Sequence, residues 1–75
     1  MPANKPNVAH YDRGRIQFIE YLEGSFTPEE FQGFLKGNVI KYVSRYRYKG
    51  TPEADLIKAA TYLGWLLEAV KKEKA

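Results

Sequence analysis

The sequence predicts an all-α fold: a small three-helix domain, one short helix and two long ones, behind an extended N-terminal arm. Three observations carry this. Thr27-Pro28-Glu29 and Thr51-Pro52-Glu53 each open a long stretch whose apolar residues recur with helical spacing. Gly24 and Gly50 stand where the first and second helices should stop. No segment alternates apolar and polar residues convincingly with period two, so no substantial sheet is expected.

Residues 1–12 read as the extended arm, and residues 13–75 as a single helical domain. Pro2 and Pro6 lack backbone donors and disfavour helix in the residue before each. A first helix is expected from Gly14 or Arg15 to Leu22, with Ile16, Ile19 and either Phe18 or Leu22 as its apolar face and Gly24 as its stop. The second should run from Pro28 to about Tyr48. Thr27 caps it, Pro28 fits its first position and Glu30 closes a capping box. Gly33 and Gly37 each weaken it by roughly 1 kcal/mol relative to alanine, which suggests close approach by a backbone or a ligand. Gly50 ends it. The third helix should run from Pro52 to about Lys72, with lysines at its end, where they suit the helix dipole.

Size and composition narrow the class. A chain of 75 residues holds one domain. At this length only about 60% of the surface of the unfolded chain is buried, so a lone monomer would be marginal. There is no cysteine, so neither disulfides nor thiolate metal sites can help, and a single histidine makes a zinc site improbable. Small scaffolds without such staples often oligomerise, and a homo-oligomer is expected. The net charge of +3 and pI near 9.2 suit a phosphate-bearing ligand but fall short of a dedicated duplex-DNA binder. No apolar run is long enough to span a membrane, and residues 1–7 contain no signal-peptide core, which points to the cytoplasm.

Helical projection sorts the second helix into a core face of Phe31, Leu35, Val39, Tyr42, Val43 and Tyr46. On the third helix, Leu56, Ala59, Ala60, Leu63, Leu66, Leu67 and Val70 form the expected core stripe. Asp55, Lys58, Tyr62, Trp65 and Ala69 fall opposite. A solvated helix back would not carry Tyr62 and the only tryptophan, so this face needs a partner. Another copy of the chain, the first helix folding over it, a platform for stacking a base, or a different helix phase would each account for it.

The segment Gly37–Lys49 packs four cations and three tyrosines into thirteen residues. Asn38, Lys41 and Arg45, at i, i+3 and i+7, fall within about 60° of arc on the second helix. Lysine offers a point charge and arginine a planar fork that fits phosphate oxygens. Asparagine can orient a sugar, a base edge or a water. His10, Arg13 and Arg15 precede or open the first helix and could fold over the same face. Tyr11 and Tyr48 could supply stacking surfaces. The competing reading is a solvated flank, or one whose cations pair with Glu20, Glu23, Glu29 or Glu30, with His10 a surface or capping residue. No phosphate-binding glycine loop and no Ser–His–Asp arrangement is present. Glu29, Glu30, Glu53 and Asp55 sit in first helical turns, where acidic residues are ordinary dipole chemistry, so no metal and no cofactor is called for.

His10-Tyr11, then Phe34-x-x-Gly37-Asn38-Val39-Ile40-Lys41-Tyr42-Val43-Ser44-Arg45-Tyr46, then Asp55-Leu56-x-Lys58-Ala59-x-x-Tyr62-Leu63, resemble a family of small proteins from tailed bacteriophages. It is catalogued as a domain of unknown function and also labelled SaV-like, or phage nucleotide kinase. The resemblance covers roughly residues 10–68. It implies a phage protein made in an infected bacterial cytoplasm and a link to nucleotides, with deoxynucleoside monophosphate kinase activity as the family's described reaction. His10, Asn38, Lys41, Arg45, Asp55, Lys58 and Tyr62 match the family's recurring polar positions.

The expectation is therefore a homo-oligomeric nucleotide-binding protein. Lys41 and Arg45 would hold phosphate and Asn38 would orient sugar or base. Tyr11, Tyr48, Tyr62 or Trp65 would stack on the base. A kinase-like reaction, non-catalytic sequestration of a nucleotide (a cyclic immune signal included), and binding of a host factor or single-stranded nucleic acid through the same face stay open.

Overall fold

Three helices follow one another in the computed structural model, which describes residues 13–74: α1 (Arg13–Ser25), α2 (Pro28–Arg45) and α3 (Pro52–Lys74). No strand occurs among the described residues. The expected arm over residues 1–12 lies outside them. The all-α architecture is as the sequence predicts.

The start of α2 is built as its residues dictate. The Thr27 amide donates to Glu30 Oε1 at 2.9 Å, and the Glu30 amide donates to Thr27 Oγ1 at 3.1 Å. This reciprocal box satisfies two backbone donors that a helix N-terminus otherwise leaves open. Its far end departs from expectation. The helix closes at Arg45 rather than near Tyr48, because the Tyr48 amide bonds back only three residues, to the Arg45 carbonyl at 2.8 Å. The chain then turns through Gly50, whose φ of 78° is a left-handed conformation glycine adopts without penalty. At the other junction α1 continues past Gly24 to Ser25.

α2 and α3 form an antiparallel hairpin, tied at one end by Arg45 and Asp55 and at the other by Gln32, whose amide donates to Glu73 at 2.8 Å. α1 packs against the pair. Its Ile19 and Leu22 are buried with Phe31, Leu35, Tyr42, Ala59, Tyr62 and Trp65. Lys72 donates to Glu23 at 2.8 Å and links α3 to α1.

The core corrects the expected phase of α3. Asp55, Ala59, Thr61, Tyr62 and Trp65 are the buried residues of that helix; Ala59 and Leu66 of the expected stripe do join or pack against the core, whereas Leu56, Leu63 and Leu67 remain 43%, 53% and 53% exposed. Ala60 is exposed as well. The aromatic face turns inward because Tyr and Trp rings each bury more area than a leucine and interlock edge to face. Tyr62 meets Trp65 at 5.4 Å and 84°, and Phe34 at 6.2 Å and 76°. The buried Thr61 hydroxyl is satisfied within the helix, donating to the Ile57 carbonyl at 2.9 Å. On α2, Phe31, Leu35 and Tyr42 are buried as expected, Val39 and Tyr46 are half-buried, and Val43 is exposed. On α1, Leu22 rather than Phe18 completes the apolar face. Among the described residues an added Cβ at Gly33 or Gly37 would meet nothing within 4 Å, so neither serves a close approach by them.

Candidate functional site

Tyr42 is the centre around which the cationic residues collect. It lies near the end of α2 on the buried face, and its ring stacks on Tyr62 of α3 at 5.9 Å with 15° between planes. The Lys41 ammonium is 4.8 Å from the Tyr42 centroid. The Arg45 guanidinium carbon is also at 4.8 Å. The Lys58 ammonium, from α3, is at 5.5 Å. All three distances fall within the range over which an aromatic quadrupole attracts a cation. The helical turn explains the convergence: residues 41, 42 and 45 are one turn of α2, and α3 passes beside it with Lys58 one turn before Tyr62.

One carboxylate stands among these cations. Asp55 is 1% exposed and accepts from Arg45 twice, Nε to Oδ2 and Nη2 to Oδ1, each at 3.3 Å. The paired geometry is the guanidinium fork meeting both carboxylate oxygens. Arg45 is itself about one-third exposed, so one edge of the fork stays in reach of solvent. Among the described residues, three cations against one carboxylate leave the cluster with excess positive charge. Lys41 is on the surface and Lys58 half-buried.

The remaining candidates separate. Asn38 is half-buried, and its Nδ2 donates to the Phe34 carbonyl one turn back at 2.9 Å, which fixes its orientation on the helix flank. Tyr48 stands in the turn after α2 and is 80% exposed. Tyr62 is buried beneath Tyr42, and Trp65 is buried farther along α3, so both belong to the packed interior of the chain. His10 and Tyr11 lie outside the described residues, and Arg13 is the first residue of α1. The glutamates considered as neutralising partners are not the ones that meet this flank; Arg45 chooses Asp55, and Glu23 pairs with Lys72.

Asp55 is the residue that sequence reasoning undervalued. In the sequence its place in the first turn of α3 reads as ordinary dipole chemistry, and the family resemblance marks it only as a recurring polar position. The signal that finds it is its register: Asp55, Lys58 and Tyr62 share one face, and a carboxylate in line with a buried aromatic needs a cation. Among the described residues no group of three or more His, Cys, Asp or Glu side chains is placed to hold a metal ion, and no helix is long and apolar enough to cross a membrane.

The fold and cluster define a small all-α protein with a cation-rich aromatic corner between two antiparallel helices. The chain belongs to the family described as a protein of unknown function (DUF3310), whose model matches residues 3–64. No curated protein and no solved structure matches it.

Proposed function

We propose that this protein binds a nucleotide, with Lys41, Arg45 and Lys58 engaging the phosphates. The observation that supports this best is the gathering of three cations from two helices around the single Tyr42 ring, opposed by one carboxylate. Among the described residues, Lys41 and Lys58 approach the ring without a carboxylate of the kind that engages Arg45, and they can turn to an anion. Arg45, oriented by Asp55, presents the outer edge of its fork. Asn38 flanks the cluster, and exposed Tyr48 offers a stacking face. His10, Tyr11 and Arg13 would close over the same corner, as the order of the chain suggests. Tyr62 serves as the packed floor.

In this reading the protein is a phage product working as a homo-oligomer in the cytoplasm of an infected cell, and phosphoryl transfer to a nucleoside monophosphate is what the resemblance adds. Transfer needs donor and acceptor held in line with charge stabilised around the moving group. A cationic corner supplies the second requirement, and a neighbouring subunit would help supply the first.

The test is thermal unfolding with mono-, di-, tri- and cyclic nucleotides. A true ligand raises stability with concentration, by about 2.7 kcal/mol at one hundred times Kd. Lys41→Ala with Lys58→Ala should remove that shift while leaving helicity unchanged; Arg45 is avoided because it also satisfies Asp55. Chromatography of the released ligand then separates a transferase from a protein that only sequesters. No shift with any nucleotide would overturn the reading. Binding confined to oligonucleotides, and falling steeply with salt, would replace it with a nucleic-acid role.

A further inference from the structure

α3 carries two apolar faces, and the core uses one. The other consists of Leu56, Ala60, Leu63, Leu67 and Val70, spaced 4, 3, 4 and 3 residues apart. Leu56, Leu63 and Leu67 are each about half exposed, Ala60 is exposed and Val70 half-buried. This alternation is the heptad seam by which one helix packs along another. A helix that is apolar all round is normally covered all round.

We infer that this face is the interface with a second copy of the chain, α3 packing antiparallel against α3. The charges at the ends of the seam set the direction. Continuing the same spacing by one step places Glu53 near the N-terminal end and Lys74 at the C-terminal end, with Lys71 beside it. All three side chains are exposed. Lys71 is itself paired with Glu68 at 3.8 Å and Glu73 is turned toward Gln32 of α2, which leaves Lys74 as the cation facing this end of the seam. A parallel pair would set Lys74 against Lys74 and Glu53 against Glu53; an antiparallel pair sets Glu53 against the basic end of its partner. It also gives the closed two-fold arrangement in which the same patch serves both subunits. Ala60 lies on the seam, is exposed and is small enough to permit close helix approach. The interface lies on the opposite side of α3 from Tyr62 and Trp65, and it goes beyond the nucleotide reading without depending on it.

Sedimentation of the full chain should show a dimer, or a larger assembly built on dimers. Leu63→Glu with Leu67→Glu should convert it to monomer with helicity and any nucleotide-induced stabilisation retained at high protein concentration. Because the chain has no cysteine, single introduced thiols report direction cleanly. A mixture of Glu53→Cys and Lys74→Cys proteins should cross-link to each other under oxidation, whereas neither should cross-link to itself. A wild-type monomer at high concentration would overturn the inference, as would an assembly that survives the double substitution. Self-cross-linking of Glu53→Cys alone would overturn the antiparallel direction. If Leu63→Glu with Leu67→Glu fails to fold, the cross-linking pair decides, since both its sites are exposed ends of the helix.

Discussion

Asp55 shows how one side chain can fix a local arrangement. Its carboxylate is out of water and both its oxygens accept from Arg45. Removing one partner of such a pair leaves an uncompensated group, which costs about 3–5 kcal/mol when both are buried. Arg45 keeps about one-third of its surface in water, so Arg45→Ala should cost less, about 2 kcal/mol. Replacing both, as Arg45→Met with Asp55→Leu, should recover part of that loss. Urea unfolding checks both statements. An unchanged midpoint in Arg45→Ala would show that Asp55 finds another donor. Leu35 carries a different kind of weight: it is fully buried, but any aliphatic residue of its size would serve.

Between elements, the contact of α1 with α3 rests partly on Lys72 and Glu23. The hydrogen bond to Glu23 and its negative charge raise the Lys72 pKa above the ordinary 10.5. A folded-state pKa above the unfolded value means that folding favours the charged form. The stabilisation is therefore fully present below about pH 10.5 and disappears as pH rises through the folded-state value. Lys72 is well exposed, so the pair contributes only about 0.5 kcal/mol after solvent screening. Lys72→Met should lower the melting temperature slightly at pH 7 and leave no electrostatic difference from wild type well above the titration. A deficit of equal size at both pH values would assign the loss to packing of the lysine stem instead. By contrast, the capping box of α2 depends on no titrating cation and reads directly from Thr27 and Glu30.

Across the whole molecule, cohesion is uneven. α2 and α3 share the aromatic stack and ties at both ends, whereas α1 adds Ile19 and Leu22 to the core and the Glu23 link. Local opening is easiest where few apolar groups are buried. Amide hydrogen exchange should therefore be faster in α1 than in the facing turns of α2 and α3. Uniform protection across the three helices would show instead that they open as one unit. The small core also gives physical sense to a second apolar face on α3, since association buries surface that a chain of this length cannot cover by itself.

The helices, their starts and the cationic flank were legible in the residues, because capping and period are local properties. Thr27-Pro28-Glu29-Glu30 fixes a start within one turn, and residues 38, 41 and 45 share a flank whatever surrounds them. The grouping of Asp55 with Lys58 and Tyr62 was equally visible. Tertiary structure alone decided which way that group faced. α3 has an aliphatic stripe and an aromatic one, and periodicity marks both without ranking them. The choice came from the rings of Tyr42 and Phe34 on α2, which meet Tyr62, and from Arg45, which satisfies the carboxylate that the aromatic face carries inside. Packing against particular neighbours is a non-local energy. It turned Tyr62 and Trp65 inward, left three leucines outside, and gathered Lys41, Arg45 and Lys58 around one ring.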